Sequence, residues 1–366
     1  WEDFYPPGAE PNGGTVIRRF PVDLPRNPDA FNRLSAFMFE NQAGSSLREQ
    51  EEWMRAQGPM SSALFEYLAA EKENYDAFVF FGYLYATTYF GLPLVKEKAY
   101  LAPLAHDEWP IYFGMWDRLF ALPQRLMFNT IAERDFIRRR FPKLPLAGRT
   151  VGVGIEPPAP VDREAFAKRY QLPEPFLLYV GRIDEAKGCK TLFEYFMRAR
   201  AEALIDQKLV LIGKEVMPVP FHDDIIHLGF VSDREKWEAM AACDWLVVPS
   251  PHESLSMVLL EAWTMRRPAL VNAACAVLRS QCEQANGGMW YDSYEEWLTV
   301  LKNITPAEKE KLGQQGSAFV TERYSWERVE NDYLEVLSER ASETGRRTAR
   351  DADSPLRPAG AGGKSP

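Results

Sequence analysis

Short apolar runs recur through the second half of the chain, each followed by a stretch long enough for a helix. They are "FLLYV" (176–180), "KLVLI" (208–212), "IIHL" (225–228), "WLVV" (245–248) and "ALVN" (269–272). Near-continuous hydrophobicity marks strands buried on both faces, as in a parallel sheet covered by helices. The intervening "KTLFEYFMRARAEAL", "DREKWEAMAAC" and "SMVLLEAWTM" repeat apolar residues at helical period. Ser232 and Asp233 supply capping side chains ahead of the second of these. A doubly wound α/β domain over residues 156–320 is therefore expected.

The first half is less regular but of the same kind. "DAFVFF" (76–81), "KAYLAPL" (98–104), "RLMFN" (125–129) and "RTVGVG" (149–154) read as strands, "SSALFEYLAAEKEN" and "TIAERDFIRRRF" as helices. "GIEPPAP" (154–160) packs three prolines into seven residues and marks a hinge. The expected fold is α/β, with two Rossmann-like doubly wound domains, 1–155 and 156–320, facing a cleft. Ligands are expected there, at the C-terminal edges of the two sheets. A helix over 321–340 is expected to pack back on the first domain. The small, charged, Pro/Gly-rich tail over 341–366 is expected to be disordered.

Composition narrows the chemistry. A net charge of −9 argues against nucleic-acid binding by general electrostatics, while a local cation pair leaves small anionic ligands open. Cys189, Cys243, Cys275 and Cys282 form no CxxC pair and no zinc spacing, and read as reduced thiols of a cytoplasmic protein. No run reaches the roughly eighteen apolar residues of a membrane span, and no signal peptide is recognisable after Trp1.

Polar clusters follow the strands, where open α/β sheets bind ligands. In "GRIDEAKG", after "FLLYV", Arg182 and Lys187 bracket a glycine-flanked turn that begins at Gly181. Two cations there can hold a diphosphate and stabilise it as a leaving group; the plainer reading is a pair of solvated charges. After "WLVV" comes "SPHESLSMVLLEAW" (250–263). The amides of Ser254, Leu255 and Ser256 fall at a helix N-terminus, a ready anion site. Glu253 and Glu261 are eight residues apart, roughly 12 Å on a helix, and a carboxylate can accept hydrogen bonds from a sugar diol. The rival readings are a turn residue for Glu253 and a pair with Arg266 or Arg267 for Glu261.

"GRIDEAKG" followed by "HESLSMVLLEA" resembles the C-terminal domain of the family 4 (group 1) retaining glycosyltransferases of GT-B architecture. The resemblance covers most of 70–335 and is strongest over 176–291. It implies a metal-independent hexosyltransferase that needs no cofactor beyond a nucleoside-diphosphate sugar as co-substrate. Glu253 would contact the donor sugar, Glu261 the ribose hydroxyls, Arg182 and Lys187 the diphosphate, and backbone at Phe230 and Val231 the base. His106, in "LAPLAHDEWP", reads by itself as a structural histidine. The resemblance assigns it to the donor sugar, where it helps stabilise the charged transition state, and gives Asp107 and Glu108 weaker claims.

The implied acceptor is a glycan, a lipid-linked sugar or a small molecule. The aromatic "WPIYFGMWDRLF" (109–120) and basic "RDFIRRRFPK" leave peripheral membrane contact open, against the simpler reading of a packed helix and a solvated basic face. The chain departs from the family pattern twice. Ser256 stands where many members have glycine. The first strand and its Gly-rich loop are not found, so the first domain is expected to lack its first strand–helix unit; "PNGG" (11–14), ahead of the strand-like "TVIRRFPV", reads as a hairpin turn. The rival functions are a nucleotide-sugar epimerase of the same shape and a nucleotide-sugar-binding protein without catalysis.

Overall fold

The computed structural model describes residues 1–172 and 175–352, of which 340–352 as backbone only. Among these residues twelve strands form three sheets. β1 (Gly8–Asn12) and β2 (Thr15–Arg19) make an antiparallel hairpin turned by Gly13 and Gly14, both at positive φ. "PNGG" is that turn. β3 (Phe78–Phe81), β4 (Ala99–Ala102), β5 (Arg125–Phe128) and β6 (Gly148–Thr150) form a parallel sheet in sequence order. The third sheet holds β7 (Phe176–Val180), β8 (Lys208–Ile212), β9 (Ile225–His227), β10 (Trp245–Val248), β11 (Ala269–Asn272) and β12 (Gly288–Tyr291). It is parallel, in the order β12-β11-β10-β7-β8-β9.

The apolar runs are explained by burial on both faces. Leu178, Val210, Leu246 and Val271 point into one core, and their neighbours Leu177, Leu209, Val247 and Leu270 into another. The strand order reverses between β10 and β7, and such a switch point opens a crevice beyond the strand ends. "GRIDEAKG" leaves β7 and "SPHESLS" leaves β10, so the two motifs face each other across it.

The first sheet is also covered twice. Ala99, Leu101, Leu126 and Phe128 face the core of the first domain, which includes Trp53, Trp116 and Phe113. Tyr100, Ala102, Met127 and Val151 face the last helix, Trp326–Ala352, through Tyr333, Val336 and Leu337. Ion pairs from Arg149 to Asp332 and from Arg125 to Glu339 border this contact. The boundary read at 320/321 falls inside helix Pro306–Arg323, and the one at 340/341 inside the last helix. Of the tail expected to be disordered, 341–352 belongs to this helix and the rest lies outside the described residues.

The chain crosses between domains at 151–160 and returns at 324–326. Ile155 donates its amide to the Tyr324 carbonyl at 2.7 Å, and a Cβ on Gly154 would lie 2.3 Å from the Trp326 ring. Gly154→Ala should therefore displace Trp326 and destabilise the chain by about 1–3 kcal/mol, the usual cost of overpacking. Urea unfolding checks this, and an unchanged midpoint would remove the contact from the account. No described helix is long and apolar enough to cross a membrane.

Several elements differ from the sequence reading. Helices Pro28–Glu40 and Leu47–Gln57 and strand β12 went unread. The second helix carries a capping box, Ser46 with Glu49, directly ahead of buried Trp53 and Met54, a legible start signal. β12 is four residues long and begins with glycine, too short for periodicity to register. "WPIYFGMWDRLF" splits into a 3-10 turn and helix Met115–Phe120, and its aromatic residues are mostly buried, with Tyr112 exposed.

Candidate active site

The site is built on the loops after β4 and β5 of the first sheet and after β7, β8, β9 and β10 of the second. After β7, Gly188 ends the 3-10 turn Glu185–Lys187 at φ 75°, and a Cβ there would lie 2.2 Å from the Pro249 carbonyl oxygen. The loop thus sits hard against the end of β10, and only glycine fits. This brings the Lys187 ammonium to 2.8 Å from the Glu253 carboxylate, with Glu253 largely shielded and Lys187 half-buried. Arg182 is more exposed, pairs with Asp184 at 2.9 Å, and its carbonyl accepts the Tyr179 hydroxyl.

The glutamates do not share a helix. The helix after β10 is Met257–Thr264, with Ser256 as N-cap, so Glu253 lies in the preceding loop and only Glu261 is helical. Leu259, Leu260, Ala262 and Trp263 are buried there while Met257 is partly exposed, so the helix is less enclosed than its composition suggests. Glu261 pairs with Lys236 at 2.7 Å, not with Arg266 or Arg267. Lys236 comes from helix Asp233–Ala242, started by a capping box of Ser232 with Glu235. Sequence reasoning missed Lys236 because its partner is 25 positions away.

Two cavities flank this group. One, of ≈ 440 Å³, is lined by Gly181, Arg182, Lys214, Phe230, Val231 and Lys236 among others. The other, of ≈ 460 Å³, lies between the domains and places His106, Asp107, Glu133 and Arg139 opposite His252, Glu253 and Cys275. Ser254, Leu255 and Ser256 line neither cavity. Leu255 packs on the second domain's core, and the buried Ser256 hydroxyl has no partner among the described residues.

His106 reaches the cleft after a kink at Leu104, whose φ is 54°. Its ring stacks on that of His252 from the other domain, with centroids 5.8 Å apart. Its Nε2 is 3.5 Å from Glu108, which also accepts the Tyr83 hydroxyl at 2.9 Å. Burial, with the Glu108 charge beside it, pushes the Tyr83 phenol well above its usual range, so it stays a donor. Asp107 instead accepts the Tyr112 hydroxyl at 2.7 Å. The His106 Nδ1 is buried without a hydrogen-bond partner among the described residues.

Two more residues escaped the sequence reading. His252 was visible beside Glu253, but nothing local indicated that it faces another domain. Glu133 lay within a segment read simply as a helix. It is buried, and accepts the amides of Ala105 and Asn129, each at 2.7 Å. Burial pushes its carboxyl up to about 7, against the opposing pull of these amides, of the Thr130 amide and of His106. Next to it, the Thr130 hydroxyl meets the Ser254 carbonyl across the cleft at 3.3 Å. Among the described residues no group of three or more His, Cys, Asp or Glu is arranged to hold a metal ion.

Comparison with known proteins bears on the fold and on the second domain. Residues 162–315 match the family described as glycosyl transferases group 1. The chain is 26% identical over 242 residues to the D-inositol 3-phosphate glycosyltransferase of Stackebrandtia nassauensis, covering 60% of this chain and 54% of that protein. It spans about half the length of the curated relatives it matches. Sucrose-phosphate synthase from Thermosynechococcus elongatus superposes with a TM-score of 0.70 at 17% identity, over 93% of this chain and 87% of that one. Anabaena HepE in complex with UDP superposes at 0.62 with 15% identity, over 76% and 82%. The chain thus has the GT-B fold of two Rossmann-like domains, and its second domain carries the signature of the group 1 glycosyltransferases.

Proposed function

We propose that the protein is a retaining, metal-independent glycosyltransferase, moving a hexosyl group from a nucleoside-diphosphate sugar to a glycan, lipid-linked or small-molecule acceptor. The observation that carries this reading is the Lys187–Glu253 pair, 2.8 Å apart, in a cleft faced by His106 of the other domain. HepE, which shares the fold, was solved with UDP, which supports a nucleoside diphosphate as the leaving group.

Without donor, each site carboxylate is held by a cation, Glu253 by Lys187 and Glu261 by Lys236. An arriving diphosphate takes Lys187 and Arg182, which frees Glu253 to accept the sugar hydroxyls. Glu261 takes the ribose diol, and backbone at Phe230 and Val231 borders the base. The bond between the sugar's anomeric carbon and the diphosphate oxygen breaks, and its electron pair leaves with the phosphate. The acceptor oxygen bonds to that carbon from the same face, and its proton passes to the departing phosphate oxygen. His106 lies on the sugar side of this step.

Release of UDP, GDP or ADP from matching donor sugars, with and without candidate acceptors, tests the reading. Acceptor-dependent release that EDTA leaves within twofold is expected. Release without acceptor, with the sugar epimerised, would instead indicate an epimerase, and binding without release a protein that only sequesters donor. The glutamates should separate by calorimetry. Glu261→Ala should weaken binding of the free nucleoside diphosphate by about tenfold or more, as loss of a charged hydrogen bond does. Glu253→Ala should leave that affinity nearly unchanged and impair transfer; the opposite ordering would refute the assignment.

A further inference from the structure

We propose that Glu133 is the positioning residue of the interdomain cleft, its carboxylate tying the loop that carries His106 to the loop that reaches across to the second domain. One carboxylate oxygen accepts the amide of Ala105, the residue before His106; the other accepts the amide of Asn129, the residue before Thr130. Thr130 in turn caps the helix that bears Glu133, accepting its amide at 3.1 Å, and donates to Ser254 across the cleft. A single side chain thereby fixes the ends of both β4 and β5. Its support comes from backbone amides, those of Ala105 and Asn129 first, with a lesser pull from the Thr130 amide and the least from His106. The inference rests on the glycosyltransferase reading only in that His106 is taken to face the donor sugar.

The clasp depends on charge. An ionised carboxylate has two acceptor oxygens for two amides, whereas the protonated acid presents a hydroxyl to one of them. With its carboxyl pushed up to about 7, Glu133 makes this change near neutrality. The groups that face it are His106 from the β4 loop and Tyr333 from the last helix. Asp107, Asp135, Arg139, His252, Glu253 and Cys275 line the cavity it borders. Protonation should loosen the His106 loop and slow transfer without weakening the nucleotide contacts, which belong to the other domain.

The test combines amide resonances of the full chain with kinetics, comparing wild type and Glu133→Gln. In wild type, the Ala105 and Asn129 amide proton shifts should titrate together near pH 7, and kcat should fall about tenfold below that point. In the Gln variant both amides should be flat, the kcat inflection should vanish, and kcat should be lowered about tenfold with the donor KM within twofold. Amides that do not titrate in wild type, or a variant that keeps the wild-type kcat profile, would overturn the proposal even if transfer is robust. Titrating amides in a chain that transfers no sugar from any donor would uphold the clasp and sink the glycosyltransferase reading.

Discussion

Lys187→Ala is expected to lower the rate of sugar transfer by about 10²–10³, the typical loss when one donor to a developing negative charge is removed. The ammonium is assigned to a diphosphate whose charge grows as the sugar bond breaks, so its interaction strengthens towards the transition state. The same substitution strips Glu253 of its cation, leaving a shielded carboxylate beside an incoming phosphate, which adds to the loss. Donor affinity should fall less than rate. Steady-state kinetics at saturating donor check this, with circular dichroism showing that the variant is folded. A folded variant that turns over within threefold of wild type would remove Lys187 from the leaving-group site. Arg182→Ala should be milder, since that side chain is more exposed and already engaged by Asp184.

The second large effect is on stability. The Glu133 carboxyl is raised from 4.5 to about 7 in the folded chain, chiefly by burial. A raised value means the folded state favours the neutral acid. That stabilisation is fully present below about pH 4.5 and is lost as pH rises through about 7. The shift corresponds to about 3 kcal/mol at the conversion of 1.36 kcal/mol per unit. Wild type minus Glu133→Gln should therefore fall by about that amount between pH 4 and pH 8 in denaturant unfolding. A difference constant across this range would mean the carboxyl does not titrate there. The charge proposed to position His106 would thus be held at a cost in stability.

Legibility in the sequence followed the range of the interactions. The strands of the second domain were readable because burial on both faces leaves them almost wholly apolar, with polar residues only at strand ends such as Lys208, His227 and Asn272, and β7, β8, β10 and β11 have the bounds expected. The cleft motifs were readable because they follow strands at the switch point. What failed was partner choice. Glu261 was weighed against cations five and six positions on, yet Lys236 approaches it from another helix. Glu253 and Glu261 were measured along one helix, although the chain is still a loop at Glu253. Glu133 looked like one charge among several on a helix face, and only the packed β4 and β5 loops make it buried.

The last helix has a consequence for the order of assembly. Tyr100, Ala102, Met127 and Val151 acquire their cover from Tyr333, Val336 and Leu337, and the whole second domain lies between the two groups in sequence. The buried residues of the cores on either side of the β7–β12 sheet come from 155 onward, with Ala132 the one earlier side chain packed against them, so that sheet can close largely from contacts within its own half of the chain. The earlier half cannot. During synthesis its β4 and β5 leave the ribosome first but keep one apolar face open until residues beyond 330 emerge. Domains otherwise tend to fold as units in order of emergence. Here closing the longest loop comes last, and until then the half that bears His106 is the part most open to mispairing and to chaperones.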